Sequence, residues 1–132
     1  MVHVIESRQC LDSCQPGDEI IVNAGGEAMN CYRATITVNA GGAARDCDHA
    51  TITVKEGSEV INCNHAVITV NGGEVRDCDH AVITVNGGEA RDCHHATITV
   101  NTGGRVRYCD FSPITVNGGE AINSNPADIT VN

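Results

Sequence analysis

Apolar and polar residues alternate along this chain in a short triplet that returns every 15 or 16 positions. Its isoleucine falls at Ile20 or Ile21, then at Ile36, Ile52, Ile68, Ile83, Ile98, Ile114 and Ile129. A period this short cannot hold two helices and a turn, and the β-branched alternation predicts strands. Successive strand residues point to opposite sides, which places Ala50, Ile52 and Val54 inside and Thr51 and Thr53 outside. A second strand in each repeat puts Ala28, Ala44, Val60, Val75, Ala90, Val106 and Ala121 inside, with Glu74 and Arg76 facing water. No single repeat encloses a core, so the repeats must stack. The predicted fold is all-β: a parallel β-helix, or β-solenoid, of about seven coils of 15–16 residues over residues 20–132, with coils ~4.8 Å apart.

Other residues punctuate the phrase. An Asn follows each ITV triplet except at Lys55, and a glycine pair comes next in all but one repeat, Gly57-Ser58. Thirteen of the 14 glycines occupy this slot, which marks a turn needing positive φ or close approach between coils. Cys31, Cys47, Cys63, Cys78, Cys93 and Cys109 repeat at one position, as inward-facing residues of stacked coils do. Ala44 and Cys47 are three apart, so a straight strand cannot bury both. A bend at Asp46, Asp77 or Asp92, and at Asn30, Asn62 or Asn123 in other coils, reconciles them, with the short polar side chain bonding backbone groups there.

Composition narrows the classes. There is no Trp, one Phe and two Tyr among 132 residues, so the interior must be thin and filled by small or β-branched groups. The net charge of −9 argues against nucleic acid and anionic membranes, since no polybasic surface is available. No stretch of about 18 apolar residues is present to span a bilayer. The eight cysteines read as reduced and the N-terminus lacks a signal-peptide pattern, so the expectation is a cytoplasmic protein, or a secreted one if a leader was removed.

The entrance ESRQCLDSCQPGDEIIV, residues 6–22, resembles the opening of pectate-lyase-like right-handed parallel β-helix proteins. The resemblance implies an N-terminal unit over residues 1–19: a strand at Val2 and Val4, a capping helix with Cys10, Leu11 and Cys14 facing the core, and a turn at Pro16-Gly17-Asp18. The coils are shorter than those of the enzymes in that superfamily, and no long loops build a substrate groove. At the far end Ile129-Thr130-Val131-Asn132 stops just after a strand. An uncovered last coil exposes apolar edge, so two copies are expected to meet there as a homodimer, unless the natural chain continues.

Three kinds of chemistry have candidate residues on this scaffold. Cys63 with His65, Cys78 with His80 and Cys93 with His95 combine ligand types that zinc or copper favours. Alternation nevertheless sends the thiols in and the imidazoles to the turn, where they are expected to pack as a stacked ladder over the corner, so no metal and no cofactor is expected. Catalysis by Cys and His is disfavoured because near-identical copies mark structure, whereas a catalytic centre breaks the repeat; the expectation is no enzyme activity. Glu59, Glu74 and Glu89 beside Arg76 and Arg91 read as an ion-pair ladder.

The outward threonines are the remaining feature. Thr37, Thr53, Thr69, Thr84, Thr99 and Thr115 form one column, with Thr35, Thr51 and Thr97 in the column beside it. These rows resemble the ice-binding faces of insect β-helical antifreeze proteins, which implies ice binding as the alternative function. The leading expectation is a binding or assembly module that recognises a protein partner through an outer face, an acidic inhibitor or decoy being one form of it. Arg33, Arg107, Tyr108 and Phe111 break the pattern and are the expected contacts, aromatics and Arg being common interface anchors.

Overall fold

The computed structural model describes residues 1–122, 124 and 128–132. Its strands, in chain order, are β1 (Val2–Ile5), β2 (Cys10–Asp12), β3 (Glu19–Val22), β4 (Glu27–Met29), β5 (Thr35–Val38), β6 (Ala43–Arg45), β7 (Thr51–Lys55) and β8 (Glu59–Ile61). They continue as β9 (Val67–Arg76), β10 (Val82–Arg91), β11 (Thr97–Asn101), β12 (Gly104–Arg107), β13 (Pro113–Asn117), β14 (Glu120–Ile122) and β15 (Asp128–Val131). Every pairing between named strands is parallel and joins one coil to the next. One row runs β1-β3-β5-β7-β9-β10-β11-β13-β15. A second row links β2, β4, β6, β8 and the latter half of β9, then β10 to β12 and β14. The result is a parallel β-solenoid of about eight turns. Ile20, Ile36, Ile52, Ile68, Ile83, Ile98, Ile114 and Ile129 stand in one register file, as the triplet spacing requires.

Two left-handed corners and one glycine turn close each of the six coils from β3 to β12. The first corner is Asn30, Asp46, Asn62, Asp77, Asp92 and Tyr108; the second is Arg33, His49, His65, His80, His95 and Phe111, all at φ between 54° and 58°. Asn, Asp and His are the non-glycine residues that most readily enter this region, which accounts for their recurrence at these two positions. The inferred bend near Asp46 is therefore present. Its bonding differs from expectation: the ladder is made by the residue after each cysteine. Asp48 Oδ1 accepts the Asn64 N–H at 2.9 Å, Asn64 Oδ1 that of Asp79 at 2.8 Å, and Asp79 Oδ1 that of His94 at 2.8 Å. Asn123 lies outside the described residues.

The N-terminal segment corrects the sequence reading. Residues 10–14 form no capping helix; β2 pairs in parallel with β4, Leu11 opposite Ala28. Ser13, at φ 73°, takes the corner position, and its N–H bonds Met29 O at 2.9 Å. This segment is thus a coil like the others, which raises the count from about seven to about eight. The Pro16-Gly17 turn does form: the Asp18 N–H bonds Gln15 O at 3.0 Å with Gly17 at φ 88°, as a proline-then-glycine β-turn requires. Asp18 Oδ2 accepts the Gln15 N–H and lies 3.0 Å from His3 Nε2. The His3 contact and then the Gln15 N–H hold the Asp18 carboxyl down at about 2.

The core is one thin continuous file of Ile, Val, Ala and Cys. Ile36, Ile52, Ile68, Ile83 and Ile98 are each 1% exposed, a burial worth roughly 1.5–3 kcal/mol per side chain. The cysteine file adds hydrogen bonds to this packing. Cys31, Cys47, Cys63, Cys78, Cys93 and Cys109 donate to the carbonyl two residues earlier over 3.2–3.5 Å. Cys47 and Cys63 offer their N–H groups to the next thiol at 3.3 and 3.2 Å. A small side chain that donates and accepts weakly suits a buried corner.

Candidate binding surfaces

The sheet containing β5 to β13 presents two outward columns: Thr35, Thr51, Val67, Val82, Thr97 and Pro113, and beside them Thr37, Thr53, Thr69, Thr84, Thr99 and Thr115. Neither column carries a charge. Val67 and Val82 are 51% and 50% exposed at its centre, so the face is partly apolar. On one side an asparagine ladder runs along the stack, with amide bonds of 3.1 Å from Asn86 to Asn71 and 2.6 Å from Asn101 to Asn86.

On the other side lies the second corner, where aromatic rings stack. His49, His65, His80, His95 and Phe111 follow one another at centroid spacings of 5.0–5.2 Å and interplanar angles of 5–9°. Tyr32 closes the stack edge-on against His49, with the Arg33 guanidinium 5.2 Å over the Tyr32 ring. Phe111 is 58% exposed. With neighbouring columns ~7 Å apart and coils ~4.8 Å apart, corner, threonines and asparagines cover roughly 500 Å².

The other sheet is built differently. Glu59, Glu74 and Glu89 stand in register, a repulsive arrangement by itself. Arginines of the next coil relieve it: Arg76 reaches Glu59 at 2.9 Å, Arg91 reaches Glu74 at 2.9 Å and Arg107 reaches Glu89 at 2.6 Å. The Arg107 guanidinium holds the Glu89 carboxyl below its ordinary range. Between this ladder and the glycine turns runs an open groove of about 710 Å³, lined by Gly72, Gly73, Gly88 and Gly104 with Glu59, Glu74 and Glu89.

The four expected contact residues do not form one patch. Arg33 and Phe111 belong to the ring corner, five coils apart; Tyr108 is at the other corner, and Arg107 is engaged with Glu89. The ladder of stacked imidazoles expected over this corner is present, carried by a histidine recurring two residues after each cysteine from Cys47 to Cys93. Sequence reasoning missed that Tyr32 and Phe111 extend it at its two ends. The metal candidates also separate: Cys63, Cys78 and Cys93 are buried, whereas His65, His80 and His95 are exposed. Among the described residues no three His, Cys, Asp or Glu side chains converge on a metal position.

No protein-family description matches the chain, and no curated protein matches it. Among solved structures it is similar to the TibC-catalysed hyper-glycosylated TibA55-350 fragment, at 17% identity over 99% of this chain and 78% of that one, with a TM-score of 0.28. At that TM-score the likeness carries no argument.

Proposed function

We propose that the chain is a non-enzymatic binding and assembly module that recognises a protein partner through its threonine–valine face. The observation carrying this reading is the absence of charge from both columns, from Thr35 to Thr115, on a chain of net charge −9. Interface centres are depleted in charge and anchored by exposed aromatics, and Phe111 supplies such an anchor at one edge. Glu19 and Asp128 bound the face at its two ends and Asp48 and Asp79 lie along the ring corner, so the partner has an uncharged centre and a basic rim. The area is below the ~800 Å² per side of a standard interface, so the complex is of modest affinity. Charge mimicry by an acidic decoy fits less well, because the glutamates are already laced by arginines. The cytoplasmic assignment and the homodimer through the last coil belong to the same proposal; Ile129 and Val131 in β15 are 43% and 73% exposed, and a stacked coil would cover them.

The test captures partners from lysate of the native host, identifies them, and remeasures binding with purified components. A Thr69→Lys, Thr84→Lys double variant should lose at least tenfold in affinity, while Glu74→Gln on the opposite sheet should bind as the parent does. The reverse ranking would place recognition on the charged sheet and end the proposal.

A second reading, ice binding, is favoured by one observation: Thr53, Thr69, Thr84, Thr99 and Thr115 stand in register without interruption. Val67, Val82 and Pro113 interrupt the companion column. Thermal hysteresis and ice shaping that vanish in the same double variant would support it; unshaped ice crystals with the parent protein would dispose of it.

A further inference from the structure

The file of thiols is longer than the repeat spacing indicates, and it is accessible at one end. Because β2 pairs with β4 and Ser13 bonds Met29 O, Cys14 falls opposite Cys31. Seven of the eight cysteines therefore stand in one column: Cys14, Cys31, Cys47, Cys63, Cys78, Cys93 and Cys109. The last six are 0% exposed, whereas Cys14 is partly exposed while packed against the core. At the far end the column closes with a hydroxyl: the Cys109 N–H bonds Ser124 Oγ at 3.1 Å, and Ser124 is buried. One end thus meets solvent as a thiol and the other is capped by a group that cannot oxidise.

We propose that Cys14 and Cys31 are a redox modification site, at which a small disulfide such as oxidised glutathione converts the pair into a disulfide joining the first two coils. Adjacent parallel strands lie ~4.8 Å apart, within the ~4.4–6.8 Å Cα separation that a disulfide needs. The thiolate of Cys14 attacks one glutathione sulfur and expels a first glutathione thiolate, leaving a mixed disulfide. Cys31, having lost its proton, then attacks the Cys14 sulfur and expels the second glutathione. Two electrons pass from the cysteine pair to the glutathione disulfide, and the two protons end on the released thiols. Burial raises the Cys14 thiol above its ordinary range, which lowers the thiolate fraction and makes the reaction slow and faster at alkaline pH. Cys47 and the thiols beyond it have no solvent route in the folded chain and stay reduced.

Cys10 is the competitor. It is exposed, with its sulfur 3.7 Å from Met29 Sδ, and it faces away from the file. The experiment incubates the intact folded chain with oxidised glutathione at pH 8.5, blocks free thiols, and maps disulfides by mass spectrometry. The expected product is one Cys14–Cys31 disulfide per chain, reversed by dithiothreitol, with Cys47 to Cys109 alkylated only after denaturation. A Cys10→Ser variant should give the same disulfide, and Cys14→Ser should give none. Closing this loop should raise the midpoint of thermal unfolding by about 5–10 °C. If Cys10 alone is glutathionylated while Cys14 and Cys31 remain free, or if interior pairs oxidise equally well in the folded protein, the proposal fails. Should Cys14→Ser not fold, the Cys10→Ser map decides the matter alone.

Discussion

The two sheets share one backbone plan and differ in how they treat charge. On the sheet from β5 to β13 the two central outward columns hold Thr, Val and Pro113, and no side-chain charge interrupts them. On the β6–β8–β12 side, a glutamate or an arginine stands on the outer face in every coil from β8 to β12, with each of Glu59, Glu74 and Glu89 tied to an arginine one coil ahead. Stacking therefore imposes no single surface chemistry. A column of like charges is tolerated only where a second column neutralises it, and a charge-free column needs no such partner. On the proposed function, recognition falls to the charge-free side, where no ion-pair ladder occupies the outward positions.

The most forceful way to break this contrast is to cross from the outside of one strand to its inside. Val82 and Ile83 are neighbours in β10, yet one is 50% exposed and the other 1%. Ile83→Ala should cost about 3 kcal/mol in chemical denaturation, whereas Val82→Ala should cost less than about 0.5 kcal/mol. Comparable losses would mean that the inside and outside assignments are wrong. Next in size, the Thr69→Lys, Thr84→Lys pair should weaken partner binding by at least tenfold, about 1.4 kcal/mol, while unfolding shifts by less than about 1 kcal/mol.

A smaller effect concerns the first coil and is read by pH. The Asp18 carboxyl is held at about 2 in the folded state, below its unfolded value of about 3.9. Its contribution is complete above about pH 4 and is lost as pH falls toward 2. Hydrogen exchange in β1 should accelerate over that window, and Asp18→Asn should abolish the pH dependence while leaving the first coil less protected at neutral pH. Smallest of all, a double-mutant cycle on Glu59 and Arg76 should return about 0.5 kcal/mol, reduced by salt. A coupling of several kcal/mol would show that the charged sheet governs stability.

Much of this was legible in the chain because period and alternation are geometric. Ile, Thr and Cys recur at fixed phase, and stacked coils turn equal phase into spatial files. The corner near Asp46 was legible too, from the three-residue offset between Ala44 and Cys47. The same offset separates Leu11 from Cys14, and there it was mistaken for a helical stripe. A three-residue spacing satisfies both a helix face and a strand followed by a left-handed residue; the first coil lacks the glycine pair that would have decided between them, Arg8 at φ 66° standing near that turn instead. The imidazole ladder was legible from the histidine two residues after each cysteine, but the rings that end it were not. Tyr32 stands one position before the corner residue Arg33 and yet closes the stack, because sequence gives the position of a residue in the phrase but not its direction at a bend.

Because each isoleucine sits opposite its counterpart in the coils above and below, the molecule keeps its own count. Excising residues 67–81 would set Ile52 against Ile83, with Thr, Cys and His still meeting their kind, in a rod one step of ~4.8 Å shorter. Length in such a protein is a whole number, open to change by duplication or loss of a single phrase without redesign of any junction.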